Sequence, residues 1–154
     1  MFVVTMKWNK KVAVLIIIAA ALILGGIILA ISLGGSGGSD THAKAKTNDD
    51  RLEFLDGLGW EVEANPIAEK TVIIPKEFSP VYDAYNKLQI SQGYDLSEYC
   101  GLEAKIYTYS IVNYSGYTGK VVADLYVRNG EIIGGDVHSL ALDGFMHGLK
   151  MLEE

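Results

Sequence analysis

Val12 to Leu33 is a run of 22 residues with no charged side chain and only Ser32 as a polar one. At 1.5 Å per residue a helix of this length reaches about 33 Å, enough to cross a hydrocarbon core of about 30 Å. Inside lipid every peptide group needs an internal partner, so the run must be helical. Lys7, Lys10 and Lys11 precede it, with Trp8 at the interface, and no Lys or Arg follows until Lys44. Positive charge stays on the cytoplasmic side, so the expected topology is single-pass, with the N-terminus inside and the C-terminal part outside. The competing reading is a cleaved signal peptide, whose apolar region normally spans about 7–15 residues before a small-residue site. This run is longer, and Ala30-Ile31-Ser32 only imitates such a site. An uncleaved anchor in the cell membrane is the reading adopted.

The expected organisation is then 1–11 as a cytoplasmic N-terminus, 12–33 as the transmembrane anchor, 34–48 as a flexible linker and 49–154 as an extracytoplasmic domain. Gly34-Gly35-Ser36-Gly37-Gly38-Ser39 carries the linker signal. It follows a membrane span and does not join a strand to a helix, so it is not read as a phosphate loop. Within the anchor, Ala21 and Gly25, and Gly26 and Ala30, sit four apart. That spacing permits close helix pairing and a dimer through the anchor.

All 19 acidic residues and all but three of the 13 basic ones follow the apolar run, so the outer part is acidic. Nucleic-acid binding needs positive surface for phosphate contacts and is disfavoured. Cys100 is alone and cannot form an internal disulfide. A single cysteine suits a bacterial envelope protein better than a disulfide-stapled secreted domain, and a small buried hydrophobe is its expected role.

The outer part reads as α+β. Thr47-Asn48-Asp49-Asp50 has the chemistry of a helix start, and Leu52, Leu55 and Leu58 give the apolar stripe of a helix ended by Gly57 and Gly59. Trp60-Glu61-Val62-Glu63 alternates as a strand, Asn65-Pro66 breaks it, and Thr71-Val72-Ile73-Ile74 is a second. Ser79 caps another helix with Pro80 in its first turn, and Val81, Ala84, Tyr85 and Leu88 follow its 3.6-residue period. A short turn is expected at Asp95 to Gly101. Ala104 to Asn113, Val121 to Arg128 and Glu131 to Ser139 are strands, the last two joined by Asn129-Gly130, a strong hairpin signal. A short helix using Phe145, Leu149 and Leu152 is expected at the tail. The architecture implied is an N-terminal transmembrane helix followed by a small antiparallel sheet of about five strands. Two or three helices are expected to pack on one of its faces.

The hairpin register decides where the few chemically interesting side chains point. Strict pairing sets Val127 against Ile132, Leu125 against Gly134, Ala123 against Asp136 and Val121 against His138. That register places Asp136 and His138 on the apolar face, pointing the same way. A bulge at Gly134-Gly135 would instead turn both to solvent. His147 follows Asp143 by four residues, but its spacing to Asp136 and His138 matches no ligand pattern, so no metal site is assigned. There is no nucleophile elbow, Cys–His pair, phosphate loop or zinc-protease helix, so no catalytic residue and no cofactor is assigned. Nine tyrosines occur, and Tyr107, Tyr109, Tyr114 and Tyr117 gather around one strand and its loop. Tyrosines bury much area at low entropic cost and make recognition surfaces, although half-buried sheet packing also favours them. Binding candidates are therefore Tyr107, Tyr109, Tyr114, Tyr117, Asp136 and His138. Asn113-Tyr114-Ser115 fits a glycosylation acceptor, which matters only in a eukaryotic secretory pathway.

Three stretches carry a family resemblance: Phe54-Leu55-Asp56-Gly57-Leu58-Gly59-Trp60; Tyr85-Asn86-Lys87-Leu88-Gln89 with Gly93-Tyr94-Asp95-Leu96; and Gly134-Gly135-Asp136 with Asp143-Gly144-Phe145. The sequence from about Arg51 to Gly148 resembles domain of unknown function 4830. The resemblance implies a short, membrane-anchored protein of Firmicutes-type bacteria and no activity. The function expected is non-catalytic: binding or sensing of an envelope protein, a peptide or cell-wall glycan. The alternatives are a small envelope hydrolase or metal-dependent enzyme using Asp136 and His138, and a structural accessory subunit of a membrane complex.

Overall fold

The computed structural model of the chain describes residues 43–151. The apolar run at 12–33, its flanking lysines, the Gly/Ser string and Leu152 lie outside the described residues. Among the described residues no helix is long and apolar enough to cross a membrane.

Helix α1 spans Asn48–Gly57. Its start is a reciprocal cap: Thr47 Oγ1 accepts from the Asp50 N–H, and Asp50 Oδ2 accepts from the Thr47 N–H at 2.7 Å. Strand β1 is Ala68–Ile73, helix α2 is Pro80–Ser91 with Ser79 as cap, and Leu96–Tyr99 is one 3₁₀ turn. Strands β2 (Glu103–Ile111), β3 (Val121–Arg128), β4 (Glu131–Ser139) and β5 (Met146–His147) follow. The five strands form an antiparallel meander in the order β1-β2-β3-β4-β5, so the domain is α+β.

The first element expected as a strand, Trp60 to Glu63, only pairs locally along β2, through a Val62–Ile111 bridge, before Pro66 turns it away. Contacts with the sheet reach back to Ala43. Ala45 donates to the Gly130 carbonyl and Ile132 donates to the Ala43 carbonyl, so the described chain enters beside the β3–β4 turn. Asn129 and Gly130 in that turn both have positive φ, 53° and 81°, which matches the right-handed strand twist.

The two helices cover opposite faces of the sheet, not the same one. Leu55 of α1 packs with Tyr109, Ile111, Val121, Ala123, Leu125 and Val137. Tyr85 of α2 packs with Ala104 and Ile133, and Tyr126 joins them. In the β2–β3 register Tyr109 faces Ala123 while Thr108 faces Asp124, so these two sets project to opposite sides.

The strict hairpin register also gives way. Val127 pairs with Ile132, but Tyr126 pairs with Gly134, leaving Ile133 as an extra residue in β4. From there Leu125 faces Gly135, Ala123 faces Val137 and Asp124 faces Asp136. The bulge satisfies two cores at once: Ile132 enters the α1 side and Ile133 the α2 side. Asp136 and His138 are thereby rotated off the face of Ala123 and Val137.

The buried stripe of α2 is Tyr85, Asn86 and Gln89, whereas Ala84 is exposed. Polar residues are buried there because each has backbone to serve. Asn86 Oδ1 accepts from the Leu96 N–H, fixing the 3₁₀ turn. Gln89 Oε1 accepts from the Gly135 N–H, and Gln92 Nε2 donates to the Gly135 carbonyl. These amides cover the part of the β4 edge that the short β5 leaves open. The expected tail helix is replaced by β5: Gly144 bonds back to Ala141, and the reversed chain pairs with β4 at Val137 and His138.

Candidate functional site

Asp124 on β3 and Asp136 and His138 on β4 converge on the α2 face. The three offer carboxylate oxygens and a ring nitrogen that all lie within 4.8 Å of one another. Asp136 and His138 are 2% and 4% exposed, while Asp124 is half-buried. His138 Nδ1 stands 2.7 Å from Asp136 Oδ1, the only side-chain ion pair of either carboxylate among the described residues. Tyr85 donates from α2 to the other Asp136 oxygen at 2.6 Å. Thr108, the register partner of Asp124 on β2, donates its hydroxyl to Asp124 Oδ1.

Burial, reinforced by the facing Asp136 charge, pushes Asp124 up to about 6. For His138, burial acts to lower the pKa. The hydrogen bond that the ring donates to Asp136 and the charges of Asp136 and Asp124 outweigh it, and the imidazole titrates above its ordinary value. Burial and the Asp136 charge hold the Tyr85 hydroxyl firmly protonated, so it stays a donor.

The bulge thus turned Asp136 and His138 away from the larger core, but not into solvent. Asp124, Tyr85 and Thr108 were not among the residues singled out by sequence. Their signal was present: advancing the register by one residue at Gly134-Gly135 brings Asp136 opposite Asp124. The depth of Asp136 and His138 suits a proton or an ion better than an organic substrate. A cleft of about 310 Å³ lies elsewhere, lined by Lys46, Lys105, Tyr107, Arg128 and their neighbours at the β3–β4 turn.

The four singled-out tyrosines separate into two pairs. Tyr109 is fully buried; its hydroxyl accepts from Arg51 Nε and donates to Asn48 Oδ1, both at 2.8 Å. Tyr107 lies under the same guanidinium, 3.7 Å from ring centroid to Arg51 Cζ. Both fasten α1 to the sheet. Tyr114 and Tyr117 stand at the other end, after β2. Tyr114 stacks between Trp60 and Phe145, with centroids 5.7 and 5.0 Å away, and its hydroxyl meets His147 Nε2 at 3.1 Å. Tyr117 sets its edge against Phe145 at 5.2 Å. His147 belongs to this aromatic group and not to the Asp124 cluster; its Nδ1 bonds the Gly148 carbonyl.

This aromatic group sits where β2 ends, β3 begins and β4 ends. Val112, Leu140 and Leu142 emerge from the same loops and are 60%, 49% and 74% exposed. Leu140 N–H bonds the Lys120 carbonyl, tying the two loops together.

The family model described as domain of unknown function (DUF4830) matches residues 54–137. The chain belongs to this family. No curated protein and no solved structure matches the chain. The DUF4830 match spans Tyr85, Thr108, Tyr114, Tyr117, Asp124 and Asp136. His138 follows it directly, and Phe145 and His147 lie beyond its end.

Proposed function

We propose that this DUF4830 protein is a single-pass membrane protein whose outer domain is a non-catalytic recognition module for another envelope protein. Its contact surface is the aromatic end formed by Tyr114, Tyr117, Leu140, Leu142, Phe145 and Val112. The carrying observation is the gathering of exposed aliphatic side chains beside a stacked aromatic group, with Leu142 alone 74% exposed. Exposed apolar patches of this kind mark interaction sites. Aliphatic side chains call for an apolar complement, which favours a protein or peptide surface over a hydroxyl-rich glycan.

The placement of the chain entry supports the same reading. Ala43 and Ala45 bond to Ile132 and Gly130, at the opposite end of the sheet from Leu140. With the anchor at 12–33 and a short tether behind it, the bilayer-proximal end is the β3–β4 turn. The aromatic end then faces away from the membrane, within reach of neighbouring envelope proteins.

The test is site-specific photocrosslinking in native membranes, with the full-length chain. A crosslinker at Leu142 is expected to give a discrete adduct that Tyr117→Ala diminishes, while one at Asn129 gives none. Equal adducts from both positions, or none from Leu142, would overturn the reading. Val112→Asp, at another exposed position of the same surface, is expected to change stability by no more than about 0.5 kcal/mol, so loss of the Leu142 adduct in that variant reports the surface and not the fold.

A further inference from the structure

We propose that Asp124, Asp136 and His138 form a binding site for one divalent metal ion of the zinc class. Three donor groups from two adjacent strands already face one another within 4.8 Å. Two carboxylates and one imidazole make an oxygen–nitrogen set suited to Zn²⁺ and its first-row neighbours, and less suited to Ca²⁺, which prefers six to eight oxygens.

Charge supplies the second argument. Two carboxylates share this largely buried position with one imidazole; Lys70 acts on Asp124 only from beyond ion-pairing distance, and no lysine or arginine among the described residues forms an ion pair with either carboxylate. Even with His138 protonated the group is net negative. A divalent ion bound to both carboxylates and a neutral imidazole brings it to neutrality. Uncompensated charge at such depth is otherwise costly.

The outer contacts supply the third. Tyr85 and Thr108 lie outside the donor set, and each donates to one carboxylate. Such donors orient ligating groups and fix which lone pairs face inward. His138 Nδ1 and Asp136 Oδ1 now share a proton across 2.7 Å. With His138 as an imidazolium, the ion takes that proton's place and binding releases it to solvent. Ligand atoms around a tetrahedral ion stand roughly 3.5 Å apart. A small rotation of Asp124, the half-buried member, draws the set together and also marks the side by which an ion enters. Three protein ligands leave a fourth position for water.

The test uses the full-length chain in detergent, stripped with a chelator and titrated calorimetrically with Zn²⁺. One ion per chain is expected, with proton release seen as a dependence of the measured heat on the buffer's ionisation enthalpy. Co²⁺ should give the visible absorption bands of a low-coordinate oxygen–nitrogen site, a readout that needs no variant. Asp124→Asn, nearly isosteric, is expected to weaken Zn²⁺ by more than tenfold, and Tyr85→Phe by about tenfold. Absence of saturable Zn²⁺ binding by the unaltered chain would overturn the proposal. So would an Asp124→Asn chain that titrates like the unaltered one.

Discussion

Asp124 and Asp136 stand directly opposite each other across β3 and β4, on the sheet face that α2 covers. Like charges so placed destabilise a sheet, and burial strengthens the repulsion. The surrounding donors moderate it: Tyr85 and His138 bind Asp136, and Thr108 binds Asp124. The position is held in place and remains short of positive charge.

The pH dependence of stability follows in chelated solution. Asp124 is raised from 3.8 to about 6, mainly by burial, so the folded chain binds its proton more tightly than the unfolded chain. Its contribution is therefore largest in acid and is lost as pH rises between those values. His138, raised above 6.5 on balance, contributes fully below that value and loses its contribution as pH rises through its folded pKa. Asp50 and Asp95 act in the opposite sense. Each is lowered by hydrogen bonds, from Thr47 and Ser97 in turn, so their contributions fade as pH falls below 3.8. Urea midpoints are expected to be higher near about pH 5 than near about pH 8. Asp124→Asn should flatten the acid part of that slope. A midpoint that rises steadily from pH 5 to 8 would contradict the assignment.

The bulge makes a second measurable demand. A methyl group at Gly135 would stand 2.4 Å from the Asp124 carbonyl and 2.8 Å from Leu149 Cδ1. Backbone cannot withdraw from such a contact without spreading β3 from β4. Gly135→Ala is expected to lower stability by about 1–3 kcal/mol, the usual range for overpacking. Gly57→Ala is the contrast, because nothing lies within 4 Å of a methyl group there. It closes α1 and should be neutral or stabilising by up to about 1 kcal/mol. Chemical denaturation of both variants separates the effect of space from that of backbone entropy.

The cap of α1 gives a third. Thr47→Ala removes the oxygen that accepts the Asp50 N–H at 3.1 Å. Removal of such a cap costs about 1 kcal/mol. Thr47→Ser keeps the oxygen and should recover most of it in the same denaturation assay.

Local chemistry was legible in the sequence wherever it acts over a few residues. Thr47 and Ser79 cap the helices expected of them, and Asn129-Gly130 makes the expected turn. What escaped was the non-local fit. Gly134-Gly135 signalled a bulge, but its position and the depth of the face it exposes depend on α2, which lies some fifty residues earlier. Tyr85 reaches Asp136 across 51 positions. For the same reason Tyr109 read as a recognition residue although Arg51, 58 positions away, buries and bonds it. Asn86 and Gln89 fall outside the apolar period of Val81, Ala84, Tyr85 and Leu88, and they are buried because their partners are backbone groups of other segments. Periodicity reads apolar faces and is silent on buried amides.

Tyr85 is where a donor to the buried cluster can be told apart from simple packing. Its ring is 8% exposed and lies among Tyr82 and Tyr126, with centroids 6.0 Å from each. Tyr85→Phe keeps that ring and removes the hydroxyl that donates to Asp136 Oδ2. A buried carboxylate oxygen left without a donor costs about 1–3 kcal/mol. If the hydroxyl served packing alone, the change would stay within about 0.5 kcal/mol, as expected for Tyr99→Phe. The loss should also shrink in acid, because protonation of Asp124 lowers the negative charge of the cluster that the missing donor served. Denaturation of Tyr85→Phe and Tyr99→Phe at both ends of the pH range therefore measures how much of the cluster's stability passes through one hydroxyl. A Tyr85 effect that is small and independent of pH would show that Asp136 does not rely on it.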